Sequence, residues 1–140
     1  MFEPLDLSVK EIRLEMGLSQ SQLADAVGIS KRAIQSYEQG WRQPSEMAER
    51  MMLLLLIAYR NGAELAHRQC WNHKACPPDI RNECSAYLTR QGHLCWLLTG
   101  VMCDGKRRKS WDDKLQACFA CSFMHGLLHP SKNDAERIDI

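Results

Sequence analysis

The chain has 140 residues, 45% of them apolar, with 18 Lys and Arg against 17 Asp and Glu and a net charge of +1. That is room for one ordinary domain or two small ones, with enough apolar residues for a packed core, which excludes a wholly disordered protein. A near-neutral balance also means that a nucleic-acid partner has to be read from local arrangement, not from bulk charge.

The opening Met1-Phe2-Glu3-Pro4-Leu5-Asp6 is acidic and lacks the basic segment and apolar stretch of a secretory signal. The longest apolar run, Met51 to Tyr59, covers nine residues, whereas a bilayer needs about 20. The expectation is a cytoplasmic protein with no membrane partner, in a compartment where thiols stay reduced. All seven cysteines lie between Cys70 and Cys121, and an odd number cannot pair completely within one chain. The chain therefore divides into a cysteine-free part over 1–62, a cysteine-rich part over 63–129 and a polar tail over 130–140. The fold class expected is mainly α: a bundle of about four helices, then a small, loop-rich, cysteine-rich domain.

In chain order, Ser8 caps a first helix to about Met16, with Glu11 completing a capping box and Ile12 and Leu14 as inward candidates. Gly17 ends it. Ser19 caps a second helix, Gln20 to Val27, with Leu23, Ala24 and Val27 on one face. Gly28 and Ile29 turn the chain, Ser30 caps a third helix to about Gln39, Gly40 closes that helix, and Pro44-Ser45 start a fourth. Two short helices joined by such a turn form a DNA-reading unit whose second helix enters the major groove.

The third helix leads with Lys31, Arg32, Gln35 and Ser36, while Ala33, Ile34 and Tyr37 suit the core. Arg and Lys match guanine O6/N7, and Gln matches adenine N6/N7. Gln20, opening the preceding helix, and Arg42, in the loop after the reader, are placed for phosphates, which set register and not sequence. The competing reading is a three-helix bundle with a solvated polar face.

Leu18-Ser-Gln-Ser-Gln-Leu-Ala, Gly28-Ile-Ser, Ile34-Gln-Ser-Tyr-Glu-Gln-Gly and Pro44 resemble the Cro/repressor-type helix-turn-helix family, also called the xenobiotic-response-element (XRE) family. The resemblance implies DNA-contacting roles for Gln20, Lys31, Arg32 and Ser36 and a structural role for Glu38. Trp41 departs from the small or basic residue common there.

The fourth helix runs from Ser45 to about Asn61, and Met51 to Tyr59 is apolar all the way round, which predicts burial on every side. Either the second part of the chain or another subunit can supply the cover. A homodimer is attractive because two readers about 34 Å apart match one turn of DNA.

In the second part, Cys118-Phe-Ala-Cys121 has chelate spacing, and Cys70, Cys76, Cys84, Cys95 and Cys103 have to be gathered by the fold. Cys70-Trp71, Cys76, Cys84, Gly92-x-x-Cys95-Trp96, Gly100-x-x-Cys103, Gly105-Lys106, Lys114 and Cys118-x-x-Cys121-x-Phe123 resemble the two-CW domain, a small module found behind regulatory and signalling domains. Val101-Met102 departs from its usual step before the fifth cysteine. Three chemistries compete: an iron–sulfur cluster, expected as 4Fe-4S, a structural zinc, or a metal-free thiol site with a redox pair at Cys118 and Cys121. The cluster is preferred because seven cysteines exceed what one zinc needs and their spacing is long and irregular. The candidate ligands are Cys95, Cys103, Cys118 and Cys121, with Cys70, Cys76 and Cys84 as further candidates.

Trp71, Trp96, Trp111 and Phe123 are read as core aromatics. The histidines are read as surface residues, with His93 and His125 as the candidate ligands to test. Lys106-Arg107-Arg108-Lys109 is a basic loop with a possible phosphate grip as its sharper reading. No nucleophile–base set, Gly-rich phosphate loop or paired-carboxylate site is legible, so an enzyme is not expected. The function expected is a sequence-specific transcriptional regulator of double-stranded DNA, sensing redox state or a small oxidant through its cluster. The alternative is an antitoxin-like regulator whose second part is a zinc module or a partner-binding surface.

Overall fold

A computed structural model describes residues 7–98, 101–106 and 110–130. Gly100, the Arg107-Arg108-Lys109 stretch of the basic loop and the tail from Ser131 lie outside the described residues. The described residues are mostly helical and contain no strand, as expected for a mainly α chain. They form two compact units, Met1–Tyr59 and Arg60–Ile140.

In the first unit, α1 (Val9–Glu15), α2 (Gln20–Val27), α3 (Lys31–Gln39) and α4 (Glu46–Asn61) follow their sequence signals closely. Ser8 and Glu11 close a capping box on α1, and Ser19 and Gln22 close a second on α2. Ser30 Oγ accepts from the Ala33 amide at 3.1 Å, and Ser45 Oγ from the Ala48 amide at 3.2 Å. Each such cap satisfies an amide that the helix cannot, worth about 1 kcal/mol. Gly28 (φ 85°) and Gly40 (φ 77°) end α2 and α3 in the left-handed region, where a side chain would be strained.

The core of this unit comprises Val9 and Ile12 of α1, Leu23 and Ala24 of α2, Ala33 and Ile34 of α3, and Ala48, Met52, Leu53, Leu56 and Ile57 of α4. Two expectations need correction. Leu14 is 56% exposed: two residues beyond Ile12 lies about 200° round a helix, on the opposite side. The α4 helix is not buried on every side either. Met52, Leu53, Leu56 and Ile57 share one buried face, while Met51, Leu54, Leu55 and Ala58 are half-buried and Met47 and Tyr59 are exposed. Helical periodicity sorts identical side chains by angle, so an apolar sequence does not by itself enclose its helix.

The second unit is built from short helices: α5 (Cys70–Lys74), α6 (Pro78–Arg81), α7 (Ser85–Leu88), α8 (Trp111–Phe119) and α9 (Ser122–Leu128), with 3-10 turns at Gly62–His67, Gly92–Leu94 and Cys103–Gly105. Its core holds Leu65, Ala86, Trp96, Val101, Trp111, Phe123, Met124, Leu127 and Leu128, together with Cys70, Cys95 and Cys118. Trp96, Trp111 and Phe123 are thus core aromatics, whereas Trp71 is half-buried and meets Tyr87 edge-on at 5.1 Å. The last residues of α4 are fastened into this unit. Asn61 Nδ2 donates to the Leu127 carbonyl at 2.6 Å and Arg60 to the Leu128 carbonyl at 2.7 Å, satisfying carbonyls at the end of α9.

Candidate nucleic-acid interface and thiol cavity

The reading helix is held by its back. Arg13 of α1 forms a two-pronged ion pair with Glu38 of α3, at 2.8 and 3.2 Å, and its third nitrogen donates to the Leu18 carbonyl at 2.9 Å. The two side chains are only 12% and 5% exposed. A planar guanidinium clamped in this way fixes the rotation of α3 as a loose lysine could not. Glu38 therefore has the structural role the family resemblance implied. Arg13 was missed in the sequence, since a partner 25 residues away leaves no local signal.

With that face anchored, Lys31, Arg32 and Gln35 are exposed and Ser36 is half-buried, while Ala33 and Ile34 are buried. Tyr37 is half-buried under the Arg42 guanidinium, which lies 5.2 Å from the ring centre, a cation–π contact that orients an otherwise exposed arginine. Gln20, at the first position of α2, is held by two side-chain bonds. Its Nε2 donates to Glu38 at 3.2 Å, and its Oε1 accepts from Gln35 Nε2 at 3.5 Å. Gln20 thus links Gln35 of α3 to the Arg13–Glu38 clamp.

In the second unit, five cysteines from separate segments line one cavity of about 350 Å³: Cys70 on α5, Cys95, Cys103, Cys118 on α8, and Cys121 at the start of α9. That volume far exceeds the roughly 10–15 Å³ that one water needs. The four expected ligands all line this cavity, joined by Cys70. Cys76 and Cys84 do not; they border a small neighbouring hollow of about 10 Å³, which shares Cys70 and Cys103 with the larger one. All seven thiols are free. Among the described residues, no three His, Cys, Asp or Glu side chains stand where they could hold a single metal ion. His93 and His125 are not among the residues lining the cavity; burial lowers the His93 pKa.

The cavity is electrically uneven. A hydrogen bond from the Cys95 thiol lowers the Cys70 pKa, while that bond and burial push Cys95 well above the ordinary thiol value. Burial raises Cys103 to about 11, against the pull of the Lys114 and Lys74 charges. Two spatial devices assemble this wall. The Cys118–Cys121 step spans the break between α8 and α9, with the Cys121 amide donating to the Cys118 carbonyl at 2.9 Å. Gly92 lets the segment before Cys95 approach α5: its amide donates to Gln69 Oε1 at 2.8 Å, and an added Cβ would collide with Gln69, with the Trp71 ring at 2.8 Å and with the Cys70 amide at 2.9 Å.

No helix among the described residues is long and apolar enough to cross a membrane. Residues 9–48 match the model of a helix-turn-helix family, over less than a third of the chain. No curated protein and no solved structure matches the chain. The matched residues begin with α1 and run into the first turn of α4, so they include the Arg13–Glu38 clamp and the whole of the exposed reading helix. The first unit carries a DNA-binding helix-turn-helix of the XRE type, the module of transcriptional regulators.

Proposed function

We propose that the protein is a sequence-specific regulator, and not an enzyme, that binds double-stranded DNA as a homodimer and responds to redox state or a small oxidant through an iron–sulfur cluster held by its second unit. The observation that carries the sensing role is the convergence of five cysteines from distant segments on one roomy cavity. A cluster is preferred over a structural zinc because its several metal corners can take thiolates from separate segments, whereas one zinc draws four ligands to about 2.3 Å from a single point. The Cys-Trp steps that resemble a two-CW domain supply Cys70 and Cys95, both on that wall.

A bound cluster would supply one-electron chemistry and lability toward oxidants. The chain's own residues would carry the consequence. Cys95, Cys103, Cys118 and Cys121, with Cys70 as the fifth available thiol, would hold it. Cys118 and Cys121 flank the break before α9, and the far end of α9 presents the Leu127 and Leu128 carbonyls to Asn61 and Arg60. Those two residues end α4, which begins in the reader unit. In this reading, strain or release at the thiols would be felt through α9 at Arg60 and Asn61, the last residues of α4. A bias of a few kcal/mol between two arrangements is enough to change DNA affinity many-fold. The exposed or half-exposed Met47, Met51 and Leu54 of α4 supply apolar area for a dimer seam.

The test is to purify the full chain without oxygen and measure visible absorption, iron, acid-labile sulfide and zinc, then DNA binding before and after oxidation. A brown, sulfide-containing protein whose affinity changes on oxidation is expected; a colourless protein with one zinc per chain would end the sensing role. For the reader, Arg32→Ala should weaken binding to a selected operator by about 1–3 kcal/mol and relax one base preference. Unchanged binding to every duplex would end the DNA-reading assignment.

A further inference from the structure

We infer that Lys114, seconded by Lys74, is the counter-charge of the thiol cavity, set there to hold an anionic cluster and raise its reduction potential; this rests on the iron–sulfur reading above. Lys114 is 1% exposed, the most deeply buried charged side chain among the described residues. It stands on α8 one turn before Cys118, so both residues occupy the same helix face, and both line the cavity. A buried ammonium is costly unless negative charge lies beside it. Among the described residues that line the cavity there is no carboxylate, and the side chains there that can carry negative charge are the five cysteines.

Lys74 repeats the arrangement from α5. It lines the same cavity, and its Nζ donates to Cys121 Sγ at 3.9 Å. Two cations therefore face five thiols from two helices that are not neighbours in sequence. Four thiolates on a single cluster give an anionic assembly, and each added electron makes it more negative. Fixed positive charge in a low-dielectric wall favours that added electron. An adjacent charge at interior dielectric is worth at least about tenfold in the reduction equilibrium, which for one electron is about 59 mV. Lys114 is thus a positioning and tuning residue, not a ligand. Its methylene stem also packs in the core, a contribution that methionine can reproduce.

The experiment uses the full chain, reconstituted anaerobically with iron and sulfide, and reads the midpoint potential of the cluster by redox titration followed by electron paramagnetic resonance. Lys114→Met should lower the potential by the equivalent of about tenfold or more, Lys114→Arg should stay near the parent, and Lys74→Gln should shift it the same way by less. A parent protein that binds no iron and sulfide overturns the sensing reading, and the lysine role with it. A loaded Lys114→Met protein at the parental potential overturns the lysine role alone. Should Lys114→Met fail to fold, Lys74→Gln decides: a lowered potential supports the role and an unchanged one overturns it.

Discussion

The reader unit and the cysteine unit solve the same problem, how to position a few functional side chains, by opposite means. In the reader, serines and glycines set the start and end of each helix within four residues, and a single long-range clamp between Arg13 and Glu38 fixes the rotation of the reading helix. In the cysteine unit most helices are four or five residues long, and side-chain caps are scarce: α5, α6, α7 and α9 have none. Helices that short are not stable by themselves. They persist because distant segments interlock, as where Gln69 accepts from Gly92 or Asn61 reaches Leu127. A locally encoded unit stays rigid while it presents side chains to DNA. A unit held by distant contacts should respond as a whole when its centre changes, as the sensing role proposed above requires.

The comparison can be broken most directly at the clamp. Glu38→Ala leaves the Arg13 guanidinium enclosed without its carboxylate and should cost the first unit about 3–5 kcal/mol, read by chemical denaturation with a probe in that unit. A loss under 1 kcal/mol would mean that caps and core suffice to hold the reading helix. In the second unit the matching test is Gly92→Ala, where the added methyl meets the Cys70 amide and the Trp71 ring. Overpacking of this kind costs about 1–3 kcal/mol, and hydrogen exchange should rise around both Cys70 and Cys95 while the first unit keeps its protection. Exchange that rises only at residues 90–94 would show that the unit is held locally after all.

A smaller effect sharpens the contrast through pH. In the metal-free protein the Cys103 thiol titrates at about 11 in the fold and near 9.0 ordinarily. Its folded value is raised, so the neutral thiol is favoured in the native state; that contribution is intact below about pH 9 and is lost as pH rises toward 11. The second unit should therefore lose stability over that window, and Cys103→Ala should flatten the loss, measured by thermal melting at fixed ionic strength. An equal alkaline loss in the variant would assign the effect to other groups.

Both regions were read from sequence with different success, for reasons visible in particular residues. Ser8, Ser19, Ser30, Gly28 and Gly40 act on their immediate neighbours, so helix limits and the outward set Lys31, Arg32 and Gln35 were legible. Leu14 faces solvent because its helical angle outweighs its apolarity, and the bond from Gln20 to Glu38, eighteen residues away, leaves no local signal. Among the thiols, the Cys118–Cys121 pair was legible by chelate spacing. The place of Cys70 on the same wall, and the exclusion of Cys76 and Cys84 to a neighbouring hollow, were not.

The amino-acid order alone determined that this chain has a helix-turn-helix and which side chains lead its reading helix, because caps, glycine turns and helical periodicity act over a few residues and need no partner from elsewhere. Only the tertiary structure decided that Arg13 clamps Glu38, that one apolar face of α4 is half-buried and not enclosed, and that Lys74 and Lys114 stand among the thiols. Those depend on which distant segments meet, and the free energy that selects one meeting over another is summed over the whole packed unit, so no single stretch of sequence displays it.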